Sequence, residues 1–438
     1  MRAVVLAAGQ GVRLWPLTEN RPKPMIPIAG RPIISYVTES LRKNGVTDIL
    51  VIVGYKKEVV QNYLEDGKRF NLHIEYVVQP KVAGTANAVK LAEDYVGNEP
   101  FIAVYGDQLI SPKSVEKVLS THQASLHDIV MGVVPVNRPE HYGAVWVEGS
   151  NVKRIVEKPR AGDNAEGLVN AGLYVLNHEI FSAARKTRKS KRGEFELTDS
   201  LQSLVAQGVQ IKAALLDAES WIDIGRPWNV LEANERILKL CQNDIQGTVE
   251  EGAEITPPVI IREGARVRSG VVMIGPVLVG ERSEIGPYCR IRPFTTIGTD
   301  VKIGPNCDIK NSVLMDGCKV PHLSYVGDSV IGEKCNLGAG TNVANLRFDD
   351  ATVETPIRGK MVDSERRKLG VILGDDVRTG VNSSLMPGVK VGSRTWIGAG
   401  VVLDGDVPSD TTVLLRQQLI RKRKKKERKA SSSSRTIT

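Results

Sequence analysis

The sequence predicts two modules, an α/β domain of Rossmann-like type and, after it, a parallel β-helix. Three observations predict this. Residues 1–228 alternate short β-rich apolar runs with helical patterns. From residue 255 a large aliphatic side chain returns at every sixth position. The chain of 438 residues also exceeds one ordinary core, so two domains is the natural expectation.

In the first module the strand candidates are 3–8, 49–53, 74–78, 101–105 and 129–134, with helical stretches such as 33–44 and 85–95 between them. Such alternation implies a mostly parallel sheet covered on both faces. Residues 230–240 read as a connecting helix. The expected division is a domain over 1–228, a linker over 229–247, a β-helix over 248–413 and a tail over 414–438.

In the second module Ile255, Ile261, Val267, Met273, Val279, Ile285, Ile291, Ile297, Ile303 and Ile309 are spaced by six. A small residue follows each four positions later, from Val259 and Ala265 to Cys307 and Val313. A hexad of this kind signals a β-helix: the aliphatic fills the interior, and the small residue fits the tightly turned wall. Three hexads close one triangular coil, so residues 18 apart stack. The phase slips at Leu314 and again at Ile331, residues 346–370 interrupt with a charged loop, and the repeat resumes at Leu385. The pattern resembles the hexapeptide-repeat family, which implies a left-handed coil, an exception to the usual right-handed crossover.

Apolar content of 41% and charged content of 25% are ordinary for a globular protein, and no apolar run approaches the ~18 residues a membrane helix needs. The apolar run 3–8 lacks a basic flank and enters a Gly-rich loop, so it reads as a buried strand rather than a signal peptide. The protein is therefore expected in the cytoplasm, with no membrane partner. From residue 414 onward ten Lys and Arg face a single acid, Glu427. That tail alone accounts for the net charge of +9, so charge gives no support to nucleic-acid binding by the folded body. The tail reads as solvated and disordered, with a weak contact to RNA, an acidic partner or a membrane surface as the alternative. Five cysteines without a C-x-x-C pair indicate neither a zinc site nor a disulfide framework, and Cys289 and Cys307 read as reduced packing residues.

After the first strand comes Leu6-Ala7-Ala8-Gly9-Gln10-Gly11-Val12-Arg13, then Pro22-Lys23-Pro24. Two glycines in a tight loop let backbone N–H groups approach phosphates. Alone that fits any phosphate loop. Two fixed cations beside it, Arg13 and Lys23, suit charge building on a phosphoryl group. With Gln79-Pro80, Gly84-Thr85-Ala86, Tyr105-Gly106-Asp107, Glu157-Lys158-Pro159, Asn170-Ala171-Gly172 and Trp221-Ile222-Asp223, the module resembles the sugar-1-phosphate nucleotidylyltransferases over essentially all of 1–228. The resemblance implies a Rossmann-like nucleotidyltransferase domain in which Arg13 and Lys23 are catalytic. It implies nucleotide contacts from Leu6, Ala8, Gly9, Gly11, Gln79, Gly84 and Thr85. Sugar-phosphate contacts would come from Gly143, Glu157, Lys158 and Asn170, and Mg²⁺ ligands from Asp107 and Asp223. A sugar phosphate is already an anion, so alignment and charge neutralisation would carry the reaction.

In the β-helix the segment Val320-Pro321-His322-Leu323-Ser324-Tyr325, then Asn336-Leu337-Gly338-Ala339-Gly340 and Asn345, resembles the acetyltransferase half of the bifunctional bacterial N-acetylglucosamine-1-phosphate uridyltransferases and archaeal proteins of the same plan. By that resemblance His322 is the general base. Arg292, Lys310, Tyr325, Asn336 and Asn345 would contact the amino-sugar phosphate, and Ala339 would lie beside acetyl-CoA between subunits of a homotrimer. A histidine titrating near neutrality suits removal of a proton from an attacking amine. The bacterial pattern has a Lys shortly after the position of Asn345, where this chain has Arg347, Asp349 and Asp350. The competing reading is a monofunctional nucleotidylyltransferase with a regulatory β-helix. Because the two sites share no residues, a piece ending near residue 240 is expected to retain nucleotidyl transfer. The choices between UTP and dTTP, and between glucose- and N-acetylglucosamine-1-phosphate, stay open.

Overall fold

The computed structural model describes residues 1–81, 83–125, 129–160, 162–163, 167–190 and 193–422. The first domain is built on nine strands. In spatial order they are His73–Val78, Asp48–Val53, Ala3–Ala7, Phe101–Tyr105, Leu168–Leu176, Ile129–Pro135, Ile211–Leu215, Asn151–Glu157 and Gly143–Glu148. The first four run parallel, with Leu6 opposite Tyr105 and Ile52. Ala3–Ala7, Phe101–Tyr105 and Asp48–Val53 after its first residue are continuous apolar runs because both faces are covered, whereas the edge strand His73–Val78 is partly exposed.

The expectation of a mostly parallel sheet needs correction. Leu168–Leu176 runs antiparallel to both its neighbours, and the hairpin Gly143–Glu148/Asn151–Glu157 adds antiparallel edge strands. The physical reason is in the chain: strands from 129 to 157 follow one another with only short connections, and parallel neighbours need a long crossover. The helix expected over 85–95 also divides, into Thr85–Lys90 and Glu93–Val96, where Leu91 and Ala92 take tighter i→i−3 bonds.

The second domain is a left-handed parallel β-helix of three sheets with eight, nine and eight strands. Ile255, Met273, Ile291 and Ile309 stack in one column, and Val267, Ile285 and Ile303 in another, forming one continuous core. The phase slips are corners one residue shorter: Ile297 pairs with Leu314 and Leu314 with Ile331, so stacking survives the lost residue. The loop within 346–370 leaves the coil and returns, with Val330 pairing directly with Ile372. Part of it is a hairpin, Glu354–Ile357 with Lys360–Asp363. All five cysteines are free; Cys289 and Cys307 are buried, and burial pushes the Cys289 thiol up to about 12.

The domains are fused through a shared apolar core. Helix Asn229–Lys239 lies between them, and the first coil strand, Asp244–Ile245, falls within the stretch read as linker. Leu14, Leu17, Ile224 and Trp228 pack with Val313, Met315, Val330 and Ile372. The fully buried Asn234 accepts from the Ala29 N–H and the Thr296 hydroxyl and donates to the Phe294 carbonyl. The basic run of the tail extends past residue 422, so the disorder expected for it lies outside the described residues. Among the described residues no helix is long and apolar enough to cross a membrane.

Candidate functional site

The first site forms where strand ends converge. Gly106 donates its N–H to the Leu6 carbonyl, which sets Asp107 just beyond the strand Phe101–Tyr105. Strand Trp221–Asp223 pairs with Gln108–Ile110 and places Asp223 beside Gln108. The loop from Gly11 then brings Lys23 between the two aspartates, its Nζ 2.8 Å from Asp107 and 3.1 Å from Asp223. Gly11 is required there: it holds φ at 73°, and a Cβ would lie 2.8 Å from Cβ of Lys23.

Lys23 is buried. Burial opposes its charge, but the two carboxylates outweigh burial and hold the ammonium above its ordinary value. Asp223 is half-buried, yet Lys23 and Arg13 overcome the cost of burial and hold its carboxyl below the usual range. Arg13 is exposed and reaches the same spot: a Cβ on Gly225 would meet Oδ2 of Asp223 at 2.9 Å and the Arg13 guanidinium at 3.7 Å.

The remaining expected contacts flank this centre. Gln79 is buried and donates to the Gly84 carbonyl at 3.2 Å and to Asn87 at 2.9 Å, so it shapes the loop of Gly84 and Thr85. Thr85 accepts the Leu197 N–H at 2.9 Å. Gly143 faces Glu157 in register, and a Cβ on it would lie 3.0 Å from the Glu157 carboxylate and 3.7 Å from Asn170. Lys158, at φ 50°, is tied to Tyr142 by its backbone. Gly143, Glu157, Lys158 and Asn170 thus lie close together.

A cleft of about 420 Å³ opens beside Asp223 and Arg13. One wall comes from the first domain, with Arg138, Tyr142 and Arg226; the other comes from the loop of the β-helix, with Ser364, Glu365 and Arg366. Ion pairs hold that loop in place, Arg138–Glu365 at 2.9 Å and Arg366–Glu235 at 3.0 Å. Nothing in the composition of 346–370 signals that the interruption reaches back to the first site.

The second site lies on the β-helix. Lys310, Asn311 and Asn345 converge on the buried Asp328, with Lys310 at 3.0 Å and Asn311 at 2.9 Å. Asn345 also donates to the Tyr325 hydroxyl at 3.1 Å. Arg292 stands one coil before Lys310 and pairs with Asp308 at 3.5 Å. His322 is exposed at the preceding corner, where its carbonyl accepts from Gly340 and from Ser324. Ala339 lies one coil further along that corner. Asn336 is not part of the cluster: it sits on the neighbouring sheet, between Lys319 and Arg378. Arg347 is engaged by Asp349 in two bonds of 2.9 and 2.6 Å.

The family described as Nucleotidyl transferase matches residues 2–239, and the GMPPB C-terminal domain matches 273–386. The Bifunctional protein GlmU of Methanocaldococcus jannaschii is 43% identical, over 95% of this chain and 98% of its own. The chain belongs to this family of bifunctional nucleotidylyltransferase/acetyltransferases. The Bifunctional sugar-1-phosphate nucleotidylyltransferase/acetyltransferase of Sulfurisphaera tokodaii is 41% identical, over 93% of this chain and 98% of its own. A member of this family is a transferase with two activities, and the monofunctional reading is not favoured. The sequence reading named Lys310, Tyr325 and Asn345 but gave no role to Asn311 or to Asp328 itself. The Gly327-Asp328-Ser329 stretch could have signalled it, since a carboxylate in a β-helix wall needs partners to be buried.

Proposed function

We propose that this chain couples N-acetylglucosamine-1-phosphate or glucose-1-phosphate to UTP or dTTP, and N-acetylates glucosamine-1-phosphate, or galactosamine-1-phosphate, with acetyl-CoA. The observation that carries the first activity is Lys23 clamped between Asp107 and Asp223, beside Arg13 and the Gly11 loop. A sugar-phosphate oxygen attacks the α-phosphorus in line. The bond to the β-phosphate oxygen breaks, and pyrophosphate leaves with the electron pair. Lys23 and Arg13 offset the charge gathered on the phosphoryl oxygens. Glu157, Lys158, Asn170 and the side-chain-free Gly143 would hold the sugar phosphate, and Gln79, Gly84 and Thr85 would border the base.

Magnesium fits the donor set. Two hard carboxylates converge on a point that already holds one positive charge, and when bound the ion would neutralise phosphate oxygens. Among the described residues no group of three or more His, Cys, Asp and Glu forms a metal cage, so phosphates and water would complete the shell.

In the β-helix, His322 would take the amine proton as nitrogen attacks the thioester carbonyl and CoA leaves as the thiol. The Asp328 cluster would fix Lys310, Asn345 and Tyr325 for the sugar phosphate. Asp328→Asn is expected to raise KM for the amino-sugar phosphate about tenfold or more, because Lys310 loses its buried counter-charge; steady-state CoA release measures it. A homotrimer would complete this site. The exposed Tyr288, Leu323 and Val381 lie on alternate coils of the corner that carries His322, apolar side chains suited to contact with a second copy. The free cysteines suit the cytoplasm. A matrix of nucleotides and sugar phosphates assayed for pyrophosphate release, with CoA release in parallel and sedimentation of the active species, tests this reading. No pyrophosphate from any pair would reject the first activity, and a monomer that transfers acetyl groups would reject the trimer.

A further inference from the structure

The loop that carries Arg13 and Lys23 does not rest on its own domain alone. Between those residues, three consecutive side chains cross to the β-helix. Arg21 is buried, and its Nη2 lies 3.0 Å from both carboxylate oxygens of Asp375 and 2.7 Å from Glu333. Asn20 donates to the same Asp375 at 2.9 Å. Glu19 accepts the Ser393 N–H at 2.8 Å and the Ser409 hydroxyl. Asp375 is itself held from behind, accepting the Glu333 N–H at 2.8 Å while its own N–H donates to Ser393 at 3.1 Å. Burial raises the Glu333 carboxyl more than the nearby Arg21 lowers it, whereas Asp375 meets Arg21 with both of its oxygens.

The connection from this clasp to the reacting centre is short and stiff. Only Pro22 separates Arg21 from Lys23, and Pro24 follows in the 3₁₀ turn Lys23–Met25. Proline fixes φ on both sides of Lys23, so a shift at Arg21 reaches the ammonium with little slack. At the other end of the loop, Thr18 donates to the Gly11 carbonyl at 3.1 Å, and Tyr55 donates to the Thr18 and Glu19 carbonyls. Adhesion between the domains needs none of this polarity, since the shared apolar core already supplies it. A buried ion pair adds little net stability, and its best use is to fix one geometry.

We infer that the β-helix is a working part of nucleotidyl transfer: the Arg21–Asp375 clasp is a positioning pair that sets Lys23 between Asp107 and Asp223. The second domain thereby governs the rate of the first domain's reaction. On this inference a piece ending near residue 240 would be slowed in nucleotidyl transfer, contrary to the expectation from separate sites, because the cut removes Asp375, Glu333, Ser393 and Ser409 together.

The test uses the full chain, with whichever nucleotide and sugar phosphate the wild type turns over, so substrate identity does not enter. Asp375→Asn and Arg21→Lys keep side-chain volume while loosening the two-pronged grip. Each is assayed well below its own melting midpoint. The expected result is a fall in kcat for pyrophosphate release of about 10- to 100-fold, with KM for the nucleotide within about threefold and CoA release unchanged. A kcat within about twofold of wild type in both variants would overturn the inference, and so would an equal loss of pyrophosphate and CoA release. Either result would leave the clasp as an interface contact only.

Discussion

Asp223→Ala is expected to lower nucleotidyl transfer by about 10²–10³-fold or more, the scale seen when one preorganised charge-stabilising group is removed. The variant removes two things at once. It takes away a carboxylate proposed to hold magnesium, and it breaks one of the two ion pairs of the buried Lys23, leaving the one with Asp107. Asp107→Ala should act in the same direction with a smaller disturbance to folding, because Asp107 is 32% exposed against 16% for Asp223. Pyrophosphate release titrated with magnesium measures both variants, and near-normal rates in both would reject the assignment of the metal and of the Lys23 clamp.

The signs of the pKa shifts bound the pH range of this test. The Asp223 carboxyl lies below the ordinary 3.8, so its contribution to stability is present above that value and fades as pH falls through the folded one. The Lys23 ammonium lies above 10.5, so its contribution is present below that value and fades as pH rises through the folded one. Between these limits Lys23 and Asp223 both shift toward charge, and activity changes near neutrality belong to other groups or to substrate.

The hexads were legible because geometry selects them locally. The inside of a triangular coil accepts one large aliphatic per side, and the chain repeats that demand from Ile255 to Ile309. Even the one-residue deletions at Leu314 and Ile331 show as phase slips, since a slip moves every later aliphatic together. The proximity of Asp107 and Asp223 was of another kind. Nothing in their spacing brings them together, and only the family resemblance pointed to it; the antiparallel pairing of Asp223 with Gln108 is what does so physically.

What stayed hidden is long-range and polar. Arg21 and Asp375 lie 354 residues apart, and neither differs locally from a surface charge. Glu365 and Arg366 sit in a charged interruption whose composition reads as solvated loop, yet they wall the cleft beside Arg13. Asn336 shows the converse. Its spacing matched the family, but the coil turns its strand onto the sheet next to that of Tyr325. Sequence spacing along a β-helix fixes the coil and side of a residue, whereas a site assembled between neighbouring copies draws from two sides at once.

His322→Ala is expected to reduce acetyl transfer to glucosamine-1-phosphate by about 10²–10⁴-fold, the range of general-base assistance. The histidine is exposed at a corner rather than packed in the coil, so removing its ring leaves no cavity in the interior stack. What holds the corner is its backbone, through the Gly340 N–H and the Ser324 hydroxyl on the His322 carbonyl, and alanine keeps both bonds. The melting midpoint should therefore stay close to that of wild type, which separates loss of chemistry from loss of fold. Nucleotidyl transfer should also be unchanged, because Lys23, Asp107 and Asp223 touch neither this corner nor the Asp328 cluster. The substrate amine titrates as well, so a pH profile cannot assign the base unaided. Added imidazole supplies the discriminating measurement: it should restore part of the CoA release in His322→Ala, more at a pH where it is unprotonated, and should not help Asp328→Asn. Acetyl transfer retained within a few-fold in His322→Ala would make His322 a corner residue, and the base would then have to come from another group.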